Sequence, residues 1–255
     1  MIRKGDSMRI WAHRGCSSRF PENTLTAFRE ACRYDIAGIE LDVHMTKDRK
    51  LAVIHDETVD RTLEGSGQIR EFTLAELQAL PVRGTRERVP SLEEVLELMR
   101  EDCLSRGLKI NIEIKTDKVR YPGIEAMTVS MVRSYGLMDH VVFSSFNPYS
   151  LLLVRRADRH ADIGILAERL SWCIRISRVV RAKALHPKLA GLDRDIRASV
   201  RRGLAVRVWC GTPVELLYPD PPDFPALDLA ELSERGVTDL FTNVPERYCG
   251  PALSL

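Results

Sequence analysis

The sequence predicts a parallel α/β fold of eight strand–helix units. Short apolar runs alternate with helix-like stretches from one end of the chain to the other, the pattern of βα units feeding a parallel sheet. At about 32 residues per unit, 255 residues accommodate eight of them, the usual size of a closed barrel. No repeat of 20–50 residues and no low-complexity linker interrupts the alternation. A doubly wound open sheet shares this alternation and is the competing geometry.

The first strand is expected over Arg9–His13. Asn23 then precedes Leu25, Ala27, Phe28 and Ala31, a helical spacing with a residue suited to cap it. The second strand spans Gly38–His44 and is followed by an extra extended run, Lys50–His55. Ser91 precedes Leu92, Val95, Leu96 and Met99, with Glu94 three residues on as in a capping box. Strands follow over Lys109–Lys115 and His140–Ser144, and Asn147 opens a helical segment with Leu151, Leu152 and Val154. The remaining strands are Asp162–Leu166 and Ala182–His186, the weakest patterns, then Ala205–Trp209 and Thr238–Thr242. Pro213–Pro225, with Pro219, Pro221 and Pro222 between, is loop, because proline is excluded from helix interiors and central strands.

Composition removes several classes of function. Hydrophobic residues make up 44% and charged residues 29%, which suits a soluble globular protein. Thirty-eight basic against 36 acidic residues leave a net charge of +2, so broad single-sign electrostatics is not the mode of action. With aromatics at 6%, a base-stacking platform is disfavoured, and no nucleic-acid partner is expected. No run approaches the ~20 apolar residues of a membrane span, and Met1–Ser7 lacks the apolar core of a signal peptide. Six scattered cysteines without CxxC spacing suggest neither zinc nor a disulfide framework. A cytoplasmic protein without stable membrane insertion is the expectation. The basic run from Arg175 to Arg202 is read as a solvated face.

Two strands carry charge where a covered parallel sheet should be apolar. In Gly38–His44, Ile39, Leu41 and Val43 share one face and Glu40, Asp42 and His44 the other. In Asn111–Lys115, Ile112 and Ile114 share one face and Asn111, Glu113 and Lys115 the other. One such strand is a sheet with a solvated face as readily as a site. Two in succession point to acids converging at a strand-end mouth. Three carboxylates without cysteine suit one hard divalent cation, Mg²⁺ or Ca²⁺. His13 ends the first strand beside Arg14, a residue suited to phosphate, and His55 ends the extra run beside Asp56. Two histidines beside a cation site form a hydrolytic constellation of acid, base and metal. His44, His140, His160 and His186 lack such company and are read as structural or surface residues.

At these residues the sequence resembles the glycerophosphodiester phosphodiesterase family. His13-Arg14-Gly15 followed by Pro21-Glu22-Asn23-Thr24, then Glu40-Leu41-Asp42-Val43 and Val53-Ile54-His55-Asp56, match family motifs in order. Asp60-Arg61-Thr62, Gly65-Ser66-Gly67 and Phe72–Leu77 match its small insertion. Val89–Leu96, Ile112–Lys115, Ser144–Asn147, Val208-Trp209 and Gly236–Asn243 complete a set spanning roughly residues 9–245. The resemblance implies a TIM (β/α)8 barrel, 1–255 as one domain, with an insertion at about 46–88 between the second strand and its helix.

It further implies a cation held by Glu40, Asp42 and Glu113, with His13 and His55 as general acid and base. Arg14 and Lys115 would meet the phosphate and Trp209 the substrate, with Glu22 and Asn23 in support. The implied reaction converts glycerophosphodiesters, small deacylated phospholipids, to sn-glycerol 3-phosphate and an alcohol. Where the family continues Trp-Thr-x-Asn after the seventh strand, this chain has Trp209-Cys210-Gly211-Thr212 and a longer, proline-rich connection, Pro213–Pro225, expected to flank the pocket mouth. Rival readings are a lysophospholipase D or sphingomyelinase D-like phosphodiesterase, a non-catalytic phosphodiester-binding barrel, and a structural protein. The complete insertion favours the glycerophosphodiesterase over the lipid enzymes, for which Trp172, Leu216 and Phe224 are the residues that could meet a membrane. Retention of both histidines and all three acids opposes the binding barrel. In a structural protein the inward charges would be unexplained cost.

Overall fold

The computed structural model describes residues 8–210 and 226–252. The strands are β1 (Arg9–His13), β2 (Gly38–Met45), β3 (Leu51–Val53), β4 (Lys109–Ile114), β5 (Val141–Ser145), β6 (Asp162–Ala167), β7 (Ala184–Pro187), β8 (Ala205–Trp209) and β9 (Asp239–Thr242). All but β3 run parallel in the order β1-β2-β4-β5-β6-β7-β8-β9, and β9 pairs back onto β1, so the sheet closes. The open-sheet alternative is thereby excluded. The helices α1 (Leu25–Ala31), α2 (Leu74–Ala79), α3 (Leu92–Arg106), α4 (Ile124–Ser134), α5 (Pro148–Ala157), α6 (Leu170–Val180), α7 (Arg197–Arg201) and α8 (Leu229–Arg235) complete the chain. All but α2 connect consecutive barrel strands. A 3₁₀ turn, Pro245–Arg247, follows β9.

Helix starts follow the capping residues in the sequence. Ser91 accepts from the Glu94 amide at 3.1 Å while the Glu94 carboxylate accepts from the Ser91 amide at 2.8 Å. Asn147 caps α5 through the Tyr149 amide. Asn23 does not cap α1. That place belongs to Thr24, whose hydroxyl accepts from the Ala27 amide, and Asn23 is freed for the site described below.

The outer face of the barrel is predominantly apolar. Ile10, Ile39, Leu41, Val43, Ile110, Ile112, Phe143, Ile163, Leu185, Val206 and Leu240 pack against Phe28 of α1, Val95 and Leu96 of α3, Val129 of α4 and Leu151 of α5. The lumen is polar and aromatic. Asp239, at the bottom of β9, accepts from Trp11 Nε1 at 2.8 Å and Arg9 at 2.9 Å, and lies 3.5 Å from Arg207 Nε. The Arg207 guanidinium lies over the Trp11 ring, 4.9 Å from its centroid, and 3.4 Å from His186 Nε2. His186 meets Phe241 edge-on at 5.2 Å. Gly164 makes room for that imidazole, since a β-carbon there would come within 2.3 Å of the ring. The alternation seen in two strands therefore runs round the whole barrel. One face meets helices, and the other lines the lumen with polar and aromatic groups, with Val142 and Leu166 among them.

Between β2 and α3 lies the insertion. β3 pairs antiparallel with the end of β2, and a 3₁₀ turn at Ile69–Glu71 and α2 follow. A small core of its own, with Val59, Leu63, Ile69, Leu77 and Val82, holds it. The strand covers Leu51–Val53, two residues short of the expected His55, although the Ile54 amide still bonds the Asp42 carbonyl in the same register. The expected loop Pro213–Pro225 lies outside the described residues, as do Leu216 and Phe224. Trp172 is exposed on α6.

Asp239→Ala would leave buried Arg207 without its carboxylate. A loss of about 3–5 kcal/mol is expected on urea unfolding. A loss under about 1 kcal/mol would show that the lumen charges are not mutually dependent.

Candidate active site

The C-terminal ends of the strands open into a cleft of about 320 Å³. Its lining includes His13, Arg14, Glu22, Glu40, His55, Glu113, Lys115 and Trp209. Asp42 and Asn23 are buried beside it. Glu40 and Asp42 point inward from β2 and Glu113 from β4, because inward positions alternate along each strand and Asp42 is in register with Glu113. The three carboxylates bring one oxygen each within 4.8 Å of one another.

Three negative charges in a lumen need compensation. Lys115 Nζ stands 2.9 Å from Glu113 and 3.6 Å from Asp42. The Arg14 amide donates to Glu40 at 3.1 Å, and Arg14 Nε lies 3.4 Å from Asp42. Asn23 Nδ2 donates to Asp42 Oδ2 at 3.0 Å. Arg14 and Asn23 both sit at φ 57°, in the left-handed region that costs a side-chain-bearing residue energy. The β1–α1 loop is held there by its contacts to the acids. Gly15 follows at φ 82°, and a β-carbon there would lie 2.6 Å from the Ala27 backbone.

Compensation is unequal. Burial, then Asp42 and Glu113, raise the Glu40 pKa well above the ordinary carboxylate range. Burial also raises Glu113, with Lys115 opposing it. Asp42 goes the other way, since His55, Lys115, Arg14 and Asn23 together outweigh its burial. Asp42 Oδ1 accepts no hydrogen bond although it is buried. An orphaned carboxylate oxygen among three converging acids fits a hard cation.

The two histidines are held differently. His13 Nδ1 lies 2.6 Å from Asn243 Oδ1, while Nε2 faces the cleft 3.8 Å from Glu40. Burial, then Arg14, push its pKa down to about 3, so it is neutral. His55 Nδ1 bonds Asp56 at 2.6 Å, and the backbone carbonyl of His55 contacts Nε2 of His44 at 3.0 Å. His44, buried against Tyr121, thus fixes the turn that presents His55. Trp209 is held by its Nε1 bond to the His186 carbonyl and packs edge-on against Phe146, with Lys188 Nζ over its ring.

Sequence reasoning missed Asn243 and Arg61 as functional candidates. Asn243 is 230 residues from His13, and only sheet closure joins them. Arg61 lies in the insertion and spans two acids. Nε donates to Asp56 at 2.6 Å, and both terminal nitrogens donate to Glu22 at 2.9 and 2.7 Å. The isolated Asp-Arg-Thr triplet carried no signal of that reach.

Glu40→Gln tests the charge cluster. A carboxyl with a raised folded-state pKa carries no penalty below its ordinary value of 4.5 and an increasing one as pH climbs above it. Without divalent cation, the variant should therefore melt higher than wild type at pH 8, by about 2–4 °C per kcal/mol relieved, and equally at pH 4. Its stabilisation by added Mg²⁺ or Ca²⁺ should be smaller. A variant that melts lower at pH 8 refutes the unfavourable clustering.

Residues 13–247 match the model of the glycerophosphoryl diester phosphodiesterase family. A glycerophosphodiester phosphodiesterase of Caldanaerobacter subterraneus subsp. tengcongensis is 45% identical over 245 residues, covering 93% of this chain and 94% of that protein. One from Bacillus altitudinis is 36% identical over 201 residues, 74% and 79% of the two chains. Among solved structures, an Oleispira antarctica phosphodiesterase in complex with the product sn-glycerol-3-phosphate superposes with a TM-score of 0.75 at 24% identity, over 94% of this chain and 95% of that one. A putative glycerophosphodiester phosphodiesterase from Galdieria sulphuraria gives 0.79 at 24% identity over the same shares. These structural likenesses show the fold, and the sequence matches show the family: the chain belongs to the glycerophosphoryl diester phosphodiesterases.

Proposed function

We propose that the protein hydrolyses glycerophosphodiesters to sn-glycerol 3-phosphate and an alcohol in a reaction that requires one divalent cation, Mg²⁺ or Ca²⁺. The observation that carries this is the convergence of His13, His55, Arg14 and the three acids in one cleft. The names of relatives up to 45% identical agree with it. Glu40, Asp42 and Glu113 hold the cation, which supplies a fixed positive charge for phosphoryl and hydroxyl oxygens.

Arg14 binds the phosphate and Lys115 adds a second positive charge beside it. Asn243 holds His13 so that the Nε2 lone pair faces the cleft, and low basicity keeps it free of a proton at neutral pH. His13 is the base. It takes the proton of the attacking oxygen: water gives the monoester directly, whereas the neighbouring glycerol hydroxyl gives a cyclic phosphate that a water, deprotonated in a second step, then opens to the monoester. The Asp56 carboxylate lies 2.6 Å from Nδ1 of His55 and orients the ring, so that Nε2 is the atom turned to the substrate. His55 is the acid, and its proton goes to the alcohol oxygen as the P–O bond breaks. Trp209 and Phe146 form an apolar wall against which the substrate's carbon chain lies. The substrate is water-soluble and no described helix is long and apolar enough to cross a membrane, which accords with action in the cytoplasm.

Release of glycerol 3-phosphate from glycerophosphocholine, glycerophosphoethanolamine, glycerophosphoinositol and bis-glycerophosphate, beside lysophosphatidylcholine, tests the activity. Thorough chelation should abolish turnover, and restoring Mg²⁺ or Ca²⁺ should return it. His13→Ala and His55→Ala should each lose about 10²–10⁴ in kcat. Turnover of lysophosphatidylcholine alone would favour a lysophospholipase D. Undiminished turnover after chelation would remove the cation from the mechanism.

A further inference from the structure

The geometry points to Arg61 as a positioning residue that sets both the acid histidine and the phosphate-binding arginine from the insertion. This rests on the proposed glycerophosphodiester hydrolysis. The Arg61 guanidinium is planar and its donors lie in a fixed fork. One edge, Nε, holds Asp56 Oδ2 at 2.6 Å, while the other oxygen of Asp56 lies 2.6 Å from His55 Nδ1. The terminal nitrogens hold both oxygens of Glu22, and Glu22 Oε1 also accepts from Arg14 Nη1 at 3.0 Å. Two chains of contact therefore leave one cation. One runs through Asp56 to His55, the other through Glu22 to Arg14.

The four charges balance. Asp56 and Glu22 are negative, Arg61 and Arg14 positive, and all four side chains are less than a quarter exposed. Burial opposes ionisation of Glu22, yet Arg14 and Arg61 outweigh it and draw its pKa to about 2. Asp56 is likewise held low by His55 and Arg61 against its burial.

Arg61 is itself rigidly placed. Val59 and Leu63, two residues to either side, are fully buried in the insertion's core. Asp60, next to it, accepts from Ser66 and the Gly67 amide, and its carbonyl accepts from Arg83. The insertion thus acts as the support from which a fork reaches into the cleft. A lysine at this place keeps the charge but cannot hold both acids along two edges.

The test compares Arg61→Met, Arg61→Lys, Asp56→Asn and the double variant Asp56→Asn/Arg61→Met with wild type on two substrates. One is glycerophosphocholine and the other the p-nitrophenyl ester of glycerol 3-phosphate, whose leaving group departs without a proton. Arg61→Met should lose about 10²-fold in kcat on glycerophosphocholine and under 10-fold on the nitrophenyl ester, because the loss lies in protonation by His55. KM should rise on both through Arg14. Arg61→Lys should lose most of the same rate despite its charge. The double variant should turn over glycerophosphocholine within threefold of Asp56→Asn alone, because the two residues act on one histidine.

Were Arg61→Met not to fold, Arg61→Lys and Asp56→Asn provide the same leaving-group comparison. Wild-type protein inert on both esters refutes the activity and the relay with it. An active wild type with folded Arg61 variants within threefold of its kcat refutes the relay alone. So do equal losses on the two esters.

Discussion

Confining three carboxylates inside a closed barrel is the constraint on which the rest of the structure depends. Glu40, Asp42 and Glu113 occupy a lumen from which bulk water is largely removed, so their repulsion is weakly screened. Each neighbouring feature answers that cost. Lys115 lies beside two of the acids, Arg14 spans Glu40 and Asp42, and Asn23 adopts a left-handed backbone to reach Asp42. What the protein alone leaves unbalanced is a raised Glu40 and an orphaned Asp42 oxygen, the places where a bound cation would act. The site is electrostatically incomplete by construction, as functional sites often are.

The lower half of the barrel meets the same problem without an outside ion. Asp239 holds buried Arg207 and exposed Arg9, and Trp11 contributes both a hydrogen-bond donor and a ring face. This layer is a floor under the three acids of the cleft. Trp11 belongs to the strand that ends in His13, and Phe241 to the strand that leads to Asn243, so errors in packing below would be transmitted along two strands to one histidine.

Much of this was legible in the sequence because the relevant signals are local. Alternation along β2 and β4 showed acids on one face, strand ends exposed His13 and Arg14, and Ser91 and Asn147 marked helix starts. Partnerships across the barrel left no such trace. Arg9–Asp239 and His13–Asn243 each join residues 230 apart, and nothing about Asp239 in isolation distinguishes a floor from a solvated face. Asn23 shows a third limit. Its type suits a cap, but tertiary demand from Asp42 moved the cap to Thr24. Arg61 is similar, since its meaning depends on where the insertion folds back.

The pairing of β9 with β1 has a further consequence, for biosynthesis. The strand that carries His13 is synthesised well before β9, the neighbour that closes the barrel, with Asn243 just beyond it. A nascent chain that already contains His13, His55 and every acid of the cluster still has two unpaired sheet edges. Its histidine is without its orienting amide until the final unit is made. Ring closure thus acts as a checkpoint: competence arrives all at once and late, and a protein cut short before β9 has nearly every part of the chemistry but not the arrangement. Contacts of such long sequence separation slow folding in general, and sheet edges left unpaired meanwhile are open to aggregation.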